Sequence, residues 1–140
     1  MSDPLQVIQR FYAAEADYMN AGGAAADASF DAIAATLDPE VVLHQSPDLP
    51  WGGEYHGHEG YAEWARVMSV AFNKLEVKEQ SYFVEANAVV ILCRFVTYSR
   101  STGKSLDLPM AQVVRVRDDR ILEFRPFYWN VPAYHAALRA

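Results

Sequence analysis

Four long β-strand candidates fill the second half of the sequence and limit the folds that the chain can adopt. They read LEVKEQSYFVE, AVVILCRFVTYSR, KSLDLPMAQVVRVR and RILEFRPFYWN, with turn-forming residues at 85–87, 101–103 and 118–119 between them. Strands that are joined by such short turns pair antiparallel with their neighbours in sequence. The second half of the chain therefore predicts an antiparallel meander.

The first half of the sequence has mainly helical periodicity. A first helix begins at Pro4 and carries a stripe of residues at helical spacing, namely Leu5, Ile8, Tyr12, Ala16 and Met19. A short second helix is predicted over residues 29–37, where Asp38-Pro39 ends it, and a third over residues 58–72. Between these two helices, EVVLHQS at residues 40–46 predicts a strand.

Helices followed by an antiparallel meander predict an α+β fold. Three main helices pack on the concave face of a strongly curved, mixed but mainly antiparallel sheet. Aromatic residues make up 13% of the chain, and we expect them to line a cone-shaped pocket that the sheet encloses. The length of 140 residues predicts one domain over residues 1–140.

Composition argues against several classes of partner and cofactor. The net charge of −6 argues against nucleic acid. Cys93 is the only cysteine, which rules out an intrachain disulfide and favours a cytoplasmic protein. The sequence has neither a leader pattern nor an apolar run of membrane-spanning length, so we expect no membrane partner. It has no Gly-rich phosphate loop and no dinucleotide fingerprint, so we expect no cofactor.

Four segments in this order resemble a known family. They are QVIQRFYAA, LDPEVVLHQSP, YHGHEGYAEW and QVVRVRDDRILEFRPFYW, and together they extend over nearly the whole chain. The pattern resembles the nuclear-transport-factor-2-like superfamily, and within it the branch of SnoaL-like polyketide cyclases and ketosteroid isomerases. The resemblance implies a cone fold with an apolar pocket, and one such scaffold serves many activities.

The resemblance also implies positions for catalytic groups. In the ketosteroid isomerase pattern, an aspartate just before a proline is the base, and here Ser46 stands before Pro47. The positions of the two oxyanion donors are Phe11, with Tyr12 adjacent, and Gln112. Serine is not a base at neutral pH without an activating group, so the base has to be another residue.

Two residues are candidates for that base. His44 lies two residues before Ser46, which places both on the same face of a strand, and its ordinary pKa suits proton transfer near neutrality. Its alternative role is a histidine whose nitrogens are bonded within the core. Glu15 lies close to the apolar stripe of the first helix, where the alternative is a side chain that reaches solvent. We take His44, Tyr12 and Gln112 as the predicted catalytic set.

The segment PWGGEYHGHEGYAEW joins the predicted strand to the third helix. We expect Trp51 and Tyr55 at the mouth of the pocket and Trp64 deeper inside it. His56 and His58 raise the alternative of a metal site, but the segment has no HExxH pattern, so we expect no metal.

The predicted ligand-binding residues come from several elements. Arg94 would anchor an anionic ligand if its side chain faces inward, which the sequence leaves open because Pro109 obscures the strand register. The full predicted set is Glu15, Ser46, Trp51, Tyr55, Trp64, Met68, Arg94, Phe124 and Tyr128.

The sequence leaves two classes of function open. One is a cofactor-independent isomerase, cyclase or hydrolase that transfers protons on a largely apolar, polyketide- or steroid-like molecule. The other is a module that binds such a ligand, or a peptide, without turnover. Val113, Phe127 and Trp129 are expected on the outer face of the sheet, which predicts a homodimer packed through the sheets.

Overall fold

A six-stranded sheet is the main element of the computed structural model, which describes residues 3–139. The strand order is β2-β1-β6-β5-β4-β3. Only β1 and β6 pair parallel; the other neighbours pair antiparallel. The predicted mixed, mainly antiparallel sheet is therefore confirmed. The strands are β1 Leu37–Gln45, β2 Gly53–His56, β3 Phe72–Glu85, β4 Ala88–Ser99, β5 Ser105–Arg117 and β6 Arg120–Tyr128.

Helices cover the concave face of this sheet. They are α1 Pro4–Asn20, α2 Asp31–Ala34, α3 Gly57–Ala71 and α4 Val131–Ala137, with a 3-10 turn at Gly23–Ala26. A side-chain cap begins α1, since Asp3 Oδ1 accepts a hydrogen bond of 3.0 Å from the Leu5 amide. Among residues 3–139, no helix combines the length and the apolar character needed to cross a membrane.

The boundary between α2 and β1 differs from the prediction. The second helix is only one turn long, and β1 begins at Leu37 and continues through Pro39. Proline lacks the amide that a regular ladder needs, but the register of β1 against β6 shifts between Leu37 and Val42. This irregularity accommodates Pro39 within the strand.

The buried face of α1 is rotated from the predicted stripe. Val7, Ile8 and Phe11 are fully buried, whereas Ala16 is exposed. The Phe11 ring packs 5.4 Å from the ring of Phe124 on the sheet. This contact places the next residues of α1 beside the concave face of the sheet.

An apolar patch is exposed on the convex face of the sheet. Leu92, Ala111 and Phe127 lie side by side across β4, β5 and β6. Leu92 is 47% exposed and Phe127 53%, and Trp129 beyond the end of β6 is 77% exposed. We call Leu92, Phe127 and Trp129 the outer patch; the homodimer remains a prediction that this patch supports.

If the outer patch joins two copies of the chain, then Phe127→Lys should convert a dimer to a monomer, because two lysines would be buried against each other. Multi-angle light scattering at micromolar concentration measures the mass of each species. The control is Val70→Lys, which places the same charge on an exposed position of α3 and should leave the dimer intact. A monomeric wild-type protein would contradict the prediction.

Candidate functional site

A cavity lies between the concave face of the sheet, α1 and α3. Its walls are mainly apolar and include the aromatic residues Phe11, Tyr61, Trp64, Phe95, Phe124 and Tyr128. The volume is about 20 Å³, which is room for roughly one water molecule. An organic ligand would therefore have to move side chains aside when it enters.

Glu15 brings a carboxyl group to the wall of this cavity. It lies one helical turn after Phe11, on the side of α1 that turns toward the sheet. Burial raises its pKa from 4.5 to about 7, and no opposing contribution comes from a hydrogen bond or cation among the described residues. A carboxyl group with this pKa is suited to proton transfer near neutral pH.

Tyr12 and Gln112 are joined across the cavity. The Tyr12 hydroxyl donates a hydrogen bond to Gln112 Oε1, and Gln112 Nε2 lies 3.2 Å from the sulfur of Met110. Burial raises the pKa of Tyr12 far above its ordinary value. Its hydroxyl is therefore a neutral hydrogen-bond donor at any physiological pH.

Three polar atoms on cavity-lining side chains have no hydrogen-bond partner among the described residues. They are Gln45 Oε1, the Tyr61 hydroxyl and Trp64 Nε1. All three residues are less than a tenth exposed. Buried polar groups in folded proteins are nearly always hydrogen-bonded, so these atoms are available to a bound molecule.

The predicted facing of His44 is wrong. In β1, the residues Val41, Leu43 and Gln45 are buried on the concave face, which places His44 on the opposite face. There His44 Nδ1 donates a hydrogen bond of 2.9 Å to Glu54 Oε2. His44 therefore cannot act as the base of this cavity, and Gln45 is the β1 residue that lines it.

Ser46 shares the convex groove with His44. This groove has a volume of about 600 Å³ and is also lined by Glu54, Arg125 and Phe127. The Ser46 hydroxyl accepts a hydrogen bond of 3.3 Å from the Asp48 amide, which stabilises the turn after β1. The predicted place of Ser46 inside the pocket is therefore wrong.

Trp51 and Tyr55 do not form the mouth of the cavity. Trp51 is 3% exposed, and its ring packs edge-on 5.7 Å from the ring of Tyr134 in α4. Tyr55 is half-buried, and its hydroxyl donates a hydrogen bond of 2.8 Å to the Trp51 carbonyl. Trp51 is therefore part of the core, which corrects its predicted place at the mouth of the pocket.

A groove between α1 and β3 adjoins the cavity. This groove has a volume of about 220 Å³, and Tyr12, Glu15, Leu75 and Val77 line both the groove and the cavity. Glu15 thus lies where the outer groove narrows into the cavity. We expect a ligand to reach the cavity through this groove.

The remaining predicted residues divide between the cavity and other places. Trp64, Phe124 and Tyr128 line the cavity. Met68 is fully buried in the core. Arg94 lies on the convex face, where it forms ion pairs with Asp107 and Glu79, so the inward-facing alternative for Arg94 is wrong.

The two histidines of the Gly-rich segment are held apart. His56 Nε2 is 3.4 Å from Glu54 Oε1, whereas His58 Nε2 donates a hydrogen bond of 2.9 Å to the Leu37 carbonyl. Within residues 3–139, no three His, Cys, Asp or Glu side chains are grouped so that they could hold a metal ion.

The sequence interpretation missed Gln45 and Tyr61 as polar residues of the cavity. Tyr61 belongs to the predicted apolar stripe of the third helix, but an aromatic stripe does not reveal which hydroxyl lacks a partner. Gln45 follows three consecutive apolar residues of β1, Val41 to Leu43. Such a run gives no alternation from which its facing could be read.

Comparisons with known proteins agree with this geometry. The family model described as SnoaL-like domain matches residues 8–124, which confirms the predicted family. No curated protein matches the sequence at a significant level.

Solved structures share the fold across the whole chain. TerC, co-crystallised with polyporic acid, is 17% identical with a TM-score of 0.80, covering 99% of this chain and 100% of TerC. An NTF2-like protein from Burkholderia thailandensis E264 is 20% identical with a TM-score of 0.77 and full coverage of both chains. A candidate SnoaL-like polyketide cyclase from Jannaschia sp. CCS1 is 20% identical with a TM-score of 0.76, covering 98% of this chain and 92% of that protein. Identities this low show a shared fold alone.

The raised pKa of Glu15 predicts a pH-dependent stability. Between its ordinary value of 4.5 and its folded value of about 7, the folded state holds the proton more tightly than the unfolded state. The stability that this bound proton gives the folded state is complete below pH 4.5 and is lost as the pH rises through about 7. Glu15→Gln should therefore be more stable than the wild type at pH 8.5, by about 3 kcal/mol, and equally stable at pH 4.

Urea denaturation across this pH range measures the difference in free energy of unfolding. Asp17→Asn is the matched control, because Asp17 is an exposed carboxylate on the same helix. A Glu15→Gln profile parallel to that of the wild type would show that Glu15 titrates as in water.

Proposed function

The chain belongs to the SnoaL-like domain family, and we propose that it binds a small, largely apolar molecule in its cavity and transfers a proton on it. Glu15 is the acid–base group in this proposal. The alternative is a module that binds the same kind of molecule without turnover.

The observation that carries the proposal is the position of the Glu15 carboxyl. It stands at the junction of the entrance groove and an aromatic cavity. A general base works best when its pKa lies near the working pH, and burial brings the pKa of Glu15 to about 7. No other Asp, Glu or His among the described residues lines the cavity.

Two tyrosine hydroxyls accompany this carboxyl. The charge of Glu15 contributes to the raised pKa of both Tyr12 and Tyr61, which requires that the three groups lie near one another. Removal of a proton next to a carbonyl group leaves negative charge on the carbonyl oxygen, and neutral hydroxyl donors stabilise that charge. The Tyr61 hydroxyl has no partner among the described residues and is free for this role.

The proposed reaction class follows from these groups. A carboxylate base beside hydroxyl donors supports enolisation of a ketone, which begins both isomerisation and ring-closing condensation. The walls supply apolar contacts for the carbon skeleton. The structural neighbours support the same ligand class, since TerC was crystallised with polyporic acid and the Jannaschia protein is described as a polyketide cyclase.

The binding-only alternative rests on one specific observation. The residue of β1 that faces the cavity is Gln45, an amide that cannot remove a proton. A cavity that lacked a working base would still hold an aromatic ligand. The two functions therefore differ in whether Glu15 exchanges protons with the bound molecule.

Deuterium exchange tests the proposal without knowledge of the natural product. In D₂O, the wild type should accelerate exchange of the protons next to the carbonyl of α-tetralone, an aryl ketone. Glu15→Gln should slow that exchange by about 10²-fold or more, because the base is lost. One-dimensional ¹H NMR follows the disappearing signal.

Two control variants give the result its meaning. His44→Gln removes the histidine on the convex face, and Asp17→Asn removes an exposed carboxylate of α1; both should exchange at the wild-type rate. Binding of α-tetralone without accelerated exchange would favour the binding module. Exchange that survives Glu15→Gln would exclude Glu15 as the base.

A further inference from the structure

Gln45 places an unused hydrogen-bond acceptor in the cavity wall. It is the last residue of β1, it is 4% exposed, and its side chain lines the cavity. Its Oε1 atom is fully buried and has no hydrogen-bond partner among the described residues. A backbone turn follows directly, where Leu49 donates a hydrogen bond of 3.1 Å to the Ser46 carbonyl, so the position of Gln45 is fixed by the fold.

Tyr128 lines the same cavity as Gln45. Tyr128 lies on β6, which is the neighbour of β1 in the sheet. Burial raises the pKa of Tyr128, and the Gln45 amide opposes this rise as a hydrogen-bond donor would. Only the amide nitrogen can donate. A hydrogen bond from this nitrogen to Tyr128 would leave Oε1 free, in agreement with the unpartnered state of that atom.

The other side-chain amide of the cavity is already engaged. Gln112 Oε1 accepts the hydrogen bond of the Tyr12 hydroxyl. The remaining unpartnered polar atoms, the Tyr61 hydroxyl and Trp64 Nε1, can donate hydrogen bonds. Gln45 Oε1 is thus the side-chain amide oxygen among the lining residues that has no partner in the described part of the chain, and unlike the Tyr61 hydroxyl it can only accept a hydrogen bond.

Gln45 Oε1 is already buried, and a ligand that fills the cavity keeps water away from it. An acceptor that is left buried and unpaired destabilises the complex, whereas an acceptor that receives a hydrogen bond from the ligand does not. We infer that Gln45 is a specificity-determining residue, an inference that rests on the proposed function. Its Oε1 atom accepts a hydrogen bond from a hydroxyl or N–H group of the ligand. The cavity should therefore prefer phenols and enols to their ethers.

Two naphthalenes that differ in one donor test this inference. 2-Naphthol and 2-methoxynaphthalene share an aromatic skeleton and an oxygen acceptor, but only the naphthol donates a hydrogen bond. In fluorescence titrations, the wild type should bind 2-naphthol about tenfold more tightly than the ether. Gln45→Met, which has a similar length and no amide, should remove most of this preference while it keeps its affinity for the ether.

Two controls separate a lost hydrogen bond from a damaged fold. His44→Gln changes the neighbouring residue on the convex face and should keep the wild-type preference. The side-chain amide ¹⁵N signal of Gln45 in the wild type needs no variant at all. That signal should shift with saturating 2-naphthol and stay in place with the ether.

Each other outcome has a distinct meaning. If both compounds bind and the ratio of their affinities is the same in the wild type and Gln45→Met, with no selective ¹⁵N shift, the role of Gln45 is overturned and the proposed function stands. If neither compound binds the wild type at millimolar concentration, binding of small aromatic ligands fails, and the role of Gln45 fails with it.

Discussion

The packing of α1 on the concave face of the sheet is the contact on which the cavity depends. The Phe11 ring lies 5.4 Å from Phe124 on β6 and 5.9 Å from Tyr61 on α3, so it joins all three walls of the cavity. Burial of these rings supplies the apolar contact energy that holds the helix there. Because Tyr12 follows Phe11 and Glu15 comes one turn later, the same contact carries a hydroxyl and a carboxyl into an apolar environment. The raised pKa of Glu15 is a direct consequence of this placement.

The order of elements could be predicted from the sequence because it depends on local signals. Strand periodicity and short turns located β3 to β6 to within a few residues, and Pro4 marked the start of α1. The order of segments also identified the family. The end of α2 could not be predicted from local signals, because the Asp38-Pro39 pair is typical of a helix end but lies within β1. Only pairing with β6, together with the salt bridge from Arg117 Nη2 to Asp38 Oδ1 at 3.0 Å, shows that this segment is a strand.

The chemistry of the cavity was harder to predict, since it depends on facing and on distant contacts. Side chains alternate between the two faces of β1, so only one of His44 and Gln45 can face inward. The run from Val41 to Leu43 is apolar on both faces and does not show which one does. Trp51 is buried because α4, from the far end of the chain, brings Tyr134 against it. Glu15 was identified from its position near the apolar stripe of α1, but the desolvation that makes it reactive comes from residues of the sheet and α3. A polar cavity residue can thus be predicted from sequence only when the apolar and polar residues of its helix or strand repeat regularly enough to show which face is buried.

The acid–base role proposed for Glu15 depends on its ionisation near neutral pH, which NMR can observe directly. The side-chain carboxyl ¹³C signal of Glu15, assigned by its absence from the spectrum of Glu15→Gln, can be followed from pH 3 to pH 9. We expect a titration midpoint near 7, because burial disfavours the charged carboxylate. A midpoint near 4.5, the ordinary value of a glutamate, would mean that the carboxyl is solvated and that the cavity has no acid–base group.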